Sequence, residues 1–281
     1  MRRSVSEIVD SHHHLWRLPD IAPEGILASR YLQRDFLWPD FTDAWDGLPV
    51  LASVFVQVRS DFEEVGFVES VAAENTALRA MIAWAPLERP GVRTDLSRLR
   101  RQRLVRGVRR NTQHEADRLF CARADFVAGA RLLGELGYLC EVCVRYEQLE
   151  GALQLARACP ETTVVLEHLG KPDVSSVPPA YWLRGMEDLA AQPNVICKVS
   201  VVVHSDADPA YRAEALAPFV QHAVSCFGWE RVLFGSNWPV SQAVISYRAW
   251  VEMLKDILAS ASDTQAGGFF AGNARRIYSL E

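Results

Sequence analysis

Short apolar runs rich in β-branched residues recur along the whole chain, in the style that fills a parallel sheet. They are EIVDSH near residue 9, LASVFVQV near 55, AMIAWAPL near 83, LVRGVRR near 107, YLCEVCV near 141, TTVVLEHL near 166, NVICKVSVVV near 199 and RVLFGSN near 234. Between them lie stretches with helical spacing and strong helix formers, such as FEEVGFVESVAAENTALR, ADFVAGARLLGELG, YEQLEGALQLARACP, YWLRGMEDLAAQP and YRAEALAPFVQHAVSCFG. Several end in Gly or Pro, as helices do. Eight strand–helix units over 281 residues is about 35 residues each, which predicts a single (β/α)8 TIM barrel domain over 1–281 in the α/β class. A doubly wound sheet is the alternative, but no G-x-G-x-x-G and no phosphate loop follows a strand. The stretch from 17 to 49, rich in Pro, Trp and Asp, has no clear period and is expected to be a long loop after the first strand.

Composition narrows the function. Thirty basic against 35 acidic residues give a net charge of −5, so no strongly basic surface points to nucleic acid. No apolar window is long enough to span a membrane and the N-terminus lacks a secretory apolar core, so a cytoplasmic protein with a small-molecule substrate is expected. A homodimer is compatible with this reading. The six cysteines are expected to be reduced. Cys140 and Cys143, three apart on a buried strand, face opposite sides and are expected to be core residues, not a redox pair.

In a barrel the active site lies where strands end, so the polar residues closing each apolar run carry the chemistry. The first run closes on Asp10-Ser11-His12-His13-His14. Strand alternation predicts that Asp10, His12 and His14 project together while His13 points away. Two imidazoles so placed can hold a divalent cation. His168, closing the sixth run, is a third ligand or a proton-transfer group at the same rim. Glu141 interrupts the fifth run as a buried carboxylate, either a metal ligand or an ion-pair partner of Arg109. Lys198 interrupts the seventh and is expected to turn its charge inward or to the site. Trp16 and Trp238 are the aromatic candidates for substrate contact, although tryptophan is more often a packing residue. Ser236 is expected to be a structural hydroxyl, and His114, His204 and His222 to be surface or helix residues, His204 being the nearest of these to a strand end.

The ordered set VDSHHHLW, EHLGKP, CKVS, FGSNWPV and GNARRIYSL resembles the amidohydrolase-related family, closest to its sugar-lactonase-like branch of L-fuconolactonase, L-rhamnonolactonase and 2-pyrone-4,6-dicarboxylate lactonase types. The resemblance runs from about residue 8 to 280. It implies a (β/α)8 barrel and hydrolysis of a cyclic ester, with His12 and His14 matching the family's H-x-H and His168 its sixth-strand histidine. Some members of this branch use one divalent metal, such as zinc or manganese, and others work without metal. Arg109, in GVRRNTQ, falls where the family has an arginine suited to a substrate carboxylate or carbonyl.

Two positions depart from the pattern. Asn237 stands where the family's G-S-D-W-P has the aspartate that takes the proton from water, and an amide has no basic lone pair. Val201 stands where relatives have the glycine of K-x-S-G-L. Asn237 is compatible with a substitution introduced in the laboratory, with natural loss of hydrolysis, or with a different reaction. The resemblance therefore implies a lactone hydrolase with Asn237, His168, Arg109 and Lys198 in the catalytic set. The alternatives are a lyase, isomerase or decarboxylase on the same pocket, or a catalytically silent relative.

Overall fold

The computed structural model describes residues 5–22, 29, 31–174, 176–205 and 211–280. Eight strands form one parallel sheet in the order β1 to β8: β1 (Ile8–His13), β2 (Val50–Val56), β3 (Leu78–Ala83), β4 (Val105–Arg109), β5 (Leu139–Val142), β6 (Val164–Leu166), β7 (Val195–Val199) and β8 (Val232–Phe234). Each falls on one of the predicted apolar runs. Around them run α1 (Trp38–Ala44), α2 (Glu63–Glu74), α3 (Val92–Leu99), α4 (Ala124–Glu135), α5 (Leu149–Ala158), α6 (Ala180–Ala190), α7 (Ala213–Phe227) and α8 (Tyr247–Ile257). The chain closes with α9 (Asp263–Gly267) and α10 (Asn273–Ile277).

The ring closes at the strand ends. The Asn237 N–H donates to the His12 carbonyl (2.8 Å) and the His14 N–H to the Trp238 carbonyl (2.7 Å). The seam between the first and last strands thus fixes His12, His14 and Asn237 side by side.

Two apolar layers follow from strand alternation. Outward residues such as Val108, Cys140, Leu166 and Cys197 pack under the helices, while Val9, Val54, Ile82, Val165, Ile196 and Leu233 fill the barrel. The C-terminal segment caps the barrel: Ala271, Ala274, Tyr278 and Leu280 join the inner layer, and Asn273 donates to the carbonyls of Trp229 (2.6 Å) and Val232 (2.9 Å).

The stretch from 17 to 49 contains a helix, α1, that periodicity alone does not reveal. It is seven residues long, with a Pro in its first turn and Asp40 accepting from the Leu37 N–H (2.9 Å). It buries only Phe41, too few apolar residues for a period to register. Residues 23–28 and 30 of that stretch lie outside the described residues.

Candidate active site

At the rim, β1 departs from simple alternation. Its pairing with β2 shifts register between Asp10 and His13, and the shift changes which side chains share a face. His12 and His14 meet, with Nε2 atoms 3.2 Å apart, and His13 turns outward to stack on Phe41 at 4.1 Å. Asp10 does not join the imidazoles as expected. Its carboxylate accepts from the backbone N–H groups of His12 (3.0 Å) and Ser236 (2.9 Å), tying the first strand end to the eighth.

His168 reaches the same place by a different route. Val165 points into the barrel, so Glu167, two residues on, does too. His168, Leu169 and Lys171 then adopt left-handed backbone with φ of 52°, 56° and 48°, and the turn brings the His168 ring within 4.5 Å of the His12 ring. Asn237 is left-handed as well, at φ 58°. Such conformations in non-glycine residues cost about 1 kcal/mol or more each and gather at functional sites. Gly235 is required by the same crowding. A Cβ there would lie 3.0 Å from His12 Cβ and 3.2 Å from Ser200 Cβ, so only glycine lets these strand ends approach.

A hydrogen bond to a carbonyl fixes the His14 tautomer. The Val56 carbonyl can only accept, so His14 Nδ1 donates to it (2.6 Å), leaving the lone pair on Nε2. His168 Nδ1 meets Ser200 Oγ at 2.7 Å. Burial pulls His14 down to about 3 and holds His12 and His168 well below the usual imidazole range, so all three rings are neutral. The Asn237 amide donates from Nδ2 to the Val201 carbonyl (2.8 Å) and hydrogen-bonds to His14. Ser236 is structural: its Oγ donates to the His12 carbonyl and accepts from the Trp238 N–H.

Two ion pairs lie beneath. Arg109 donates to Glu167 Oε2 (2.8 Å) and to the Gln57 carbonyl. Burial alone would raise the Glu167 carboxyl, but Arg109 and Lys198 outweigh it and hold it well below the usual range. Its Oε1 is buried without a hydrogen-bond partner, 3.6 Å from His12 Nδ1. Glu141 is neither paired with Arg109 nor placed among the imidazoles. Lys198 donates to its Oε2 (2.7 Å) and Tyr278 to its Oε1 (2.5 Å). Among the described residues the group able to hold a metal ion is His12, Glu167 and His168, whose donor atoms all lie within 4.8 Å of one another.

Above these residues opens a cavity of about 660 Å³. His14, Trp16, Arg109, His168 and Asn237 line it, as do His114 and His204, expected from the sequence to be surface or helix residues, with His204 the nearer to a strand end. Glu141, Lys198 and Trp238 are not among its lining residues. The Trp238 ring is buried against Phe36 and Phe41, at 5.5 and 5.1 Å between centroids. Sequence reasoning missed Glu167, although its position two residues after an inward valine and beside a candidate histidine carried the signal. It also missed Lys171 and Arg145, which lie beyond strand ends in loops with no periodicity.

A closed parallel barrel gathering neutral imidazoles, an arginine and a metal-capable carboxylate beneath a cavity at its C-terminal rim defines a (β/α)8-barrel enzyme. The amidohydrolase family model matches residues 9–280, and the chain belongs to that family as a hydrolase. It is 33% identical to L-fucono-1,5-lactonase of Burkholderia multivorans over 97% of this chain and 96% of that protein. Two crystal structures of an amidohydrolase from Burkholderia multivorans are also similar. One, with bound HEPES, has a TM-score of 0.89 at 28% identity, and the other, with bound zinc, 0.86 at 29%; both comparisons cover 98% of this chain and 99% of the other. No helix among the described residues is long and apolar enough to cross a membrane.

Proposed function

We propose that this chain hydrolyses the lactone of a sugar acid or a related small carboxylate. The observation that carries the reading is the meeting of His12, His14, His168 and Asn237 at one rim, over a carboxylate whose second oxygen has no partner. Full-length similarity to an L-fucono-1,5-lactonase supports it.

The residues fit a divalent ion. A buried carboxylate oxygen without a hydrogen-bond partner is costly unless something else binds it, and Glu167 Oε1 faces His12 at 3.6 Å. The His12 and His14 Nε2 atoms, 3.2 Å apart, are spaced as two ligands of one tetrahedral ion with metal–nitrogen bonds of about 2.0–2.1 Å. His12 and His14 would hold the ion through these two atoms, with Glu167 Oε1 on the Nδ1 side of the His12 ring to orient it, and the zinc-bound relative makes zinc the first candidate. When bound, such an ion polarises the ester carbonyl and acidifies water.

The chain's own residues supply the rest. Arg109, fixed by Glu167 and the Gln57 carbonyl, presents its edge to the cavity to bind and orient the substrate. Asn237 cannot take a proton. Its amide is fitted to its place, because an aspartate there would set a carboxylate oxygen against the Val201 carbonyl. The proton of the attacking water goes to His168 Nε2, a neutral imidazole lining the cavity with Glu167 Oε2 3.6 Å away to stabilise the charged ring. His168 then returns the proton to the leaving alkoxide.

The test is a panel of sugar lactones followed by mass spectrometry, in which the product gains one water. His168→Asn is expected to lower kcat/KM by about 100- to 10,000-fold. Loss of carbon dioxide from a carboxylated substrate, with no hydration of any lactone, would remove this reading in favour of a lyase.

A further inference from the structure

Among the described residues, the charges lining the cavity are of one sign. Arg109, Arg145 and Lys171 line it, and among the described residues no Asp or Glu does. They come from the ends of β4, β5 and β6, so they occupy one side of the mouth, while Trp16, Leu32 and Val240 contribute apolar surface.

Two of these cations have no carboxylate of their own among the described residues. The Lys171 ammonium donates to Gln113 Oε1 at 2.7 Å, a neutral acceptor, which leaves two of its three N–H groups without a partner among the described residues. Arg145 forms no ion pair with a described residue and stands exposed at the rim. Arg109, though paired with Glu167, keeps a buried Nε without a partner. Burial pushes the Lys171 ammonium's pKa down, with Arg145 and Arg109 adding to the effect. A shielded cation without a counter-charge is costly, and the cost is recovered when an anion enters. Elsewhere the fold pairs such groups: Lys198 has Glu141, and Arg110 has Glu88 and Glu115.

We infer that Lys171 and Arg145, beside Arg109, form an anion subsite, and that the substrate is a lactone carrying a carboxylate or phosphate group on the side facing β4 to β6. Lys171 supplies a point charge next to the imidazole rim and Arg145 a planar fork at the mouth, suited to a group with two or more oxygens. The subsite deepens the lactonase reading and rests on it for the reaction, but not for the binding of the anion.

The experiment has a binding arm and a kinetic arm. In the first, succinate and inorganic phosphate are titrated calorimetrically into the wild-type protein, Lys171→Met and Arg145→Met. Both anions are expected to bind the wild type, with affinity falling about tenfold or more in Lys171→Met and several-fold in Arg145→Met. Which anion binds tighter tells carboxylate from phosphate. Absence of binding, or equal affinity in all three proteins, overturns the subsite; Arg145→Met guards against misfolding, because its side chain is exposed. In the second arm a carboxylated lactone is compared with its methyl ester. A preference of at least about tenfold for the acid, carried by KM and reduced in Lys171→Met, is expected. Equal turnover of acid and ester overturns the anionic substrate while leaving the lactonase reading intact. Turnover of neither, with anion binding retained, overturns the lactonase reading and leaves the subsite standing.

Discussion

Arg109–Glu167 and Lys198–Glu141 are both buried ion pairs on inward-facing positions of the same barrel, yet they differ in how completely they are satisfied. The lower pair is closed. Lys198 is fully buried, and both oxygens of Glu141 have donors, one from Lys198 and one from Tyr278 of the C-terminal cap. The upper pair is open: Glu167 Oε1 and Arg109 Nε are buried without partners, and Arg109 borders the cavity. Arg109 is the register neighbour of Glu141 across β4 and β5, but its guanidinium passes over it to Glu167. Charge burial alone therefore does not mark a site. A pair that meets its own hydrogen-bonding capacity holds the barrel together, while a pair that leaves capacity unused is arranged for a ligand.

The sharpest way to break this contrast is to neutralise each carboxylate in turn. Glu167→Gln is expected to lower kcat/KM for the proposed lactone hydrolysis by about 100- to 10,000-fold, with a matching loss of divalent metal measured by elemental analysis. Glu141→Gln is expected to act mainly on stability. An equal loss of metal in both variants would dissolve the distinction. Next in size is Lys198→Met, which takes the donor from Glu141 Oε2 and leaves a carboxyl that burial already raises to about 7 in its neutral form, and it is expected to cost about 3 kcal/mol in denaturant unfolding. The double variant Lys198→Met/Glu141→Leu should recover much of that loss. If it is no more stable than the single variant, the pair is not a self-contained structural unit.

A smaller effect comes from Glu64, buried in α2 and accepting from the Val58 N–H (2.9 Å). Burial raises its carboxyl to about 8 from 4.5. Because the folded value is the higher one, its contribution to stability is full below about 4.5 and is lost as pH rises through about 8. Glu64→Gln should thus unfold at higher temperature than the parent at pH 9, by about 1–3 kcal/mol of stability, with the gap narrowing toward pH 4.5. A gap independent of pH would show that Glu64 does not titrate in this range. The smallest effect is expected of the tryptophans. Trp238→Phe, packed beneath Phe36 and Phe41, should leave KM within about twofold, whereas Trp16, which lines the cavity, should shift it more.

Much of the architecture was written in local pattern. All eight strands coincide with apolar runs, because strands buried on both faces need continuous apolar sequence. His12, His14, His168 and Asn237 stand out as polar residues ending such runs, and the barrel brings them to one rim. Asp10 could not be placed from alternation, since the register shift after it is a product of pairing with β2 and closure against β8. The left-handed turn that carries His168 beside His12 is likewise invisible in EHLGKP, where only the final proline signals a turn.

The chain by itself determined the parallel barrel, the rim at which chemistry gathers and the identity of the imidazoles there, because these depend on periodicity and strand ends. Tertiary structure alone decided which carboxylate meets which cation. Glu141 and Glu167 are equally acidic in sequence, and Arg109 and Lys198 equally basic. The partnership was settled by strand stagger, by the Tyr278 hydroxyl arriving from the far end of the chain, and by the reach of an arginine across the top of its neighbour.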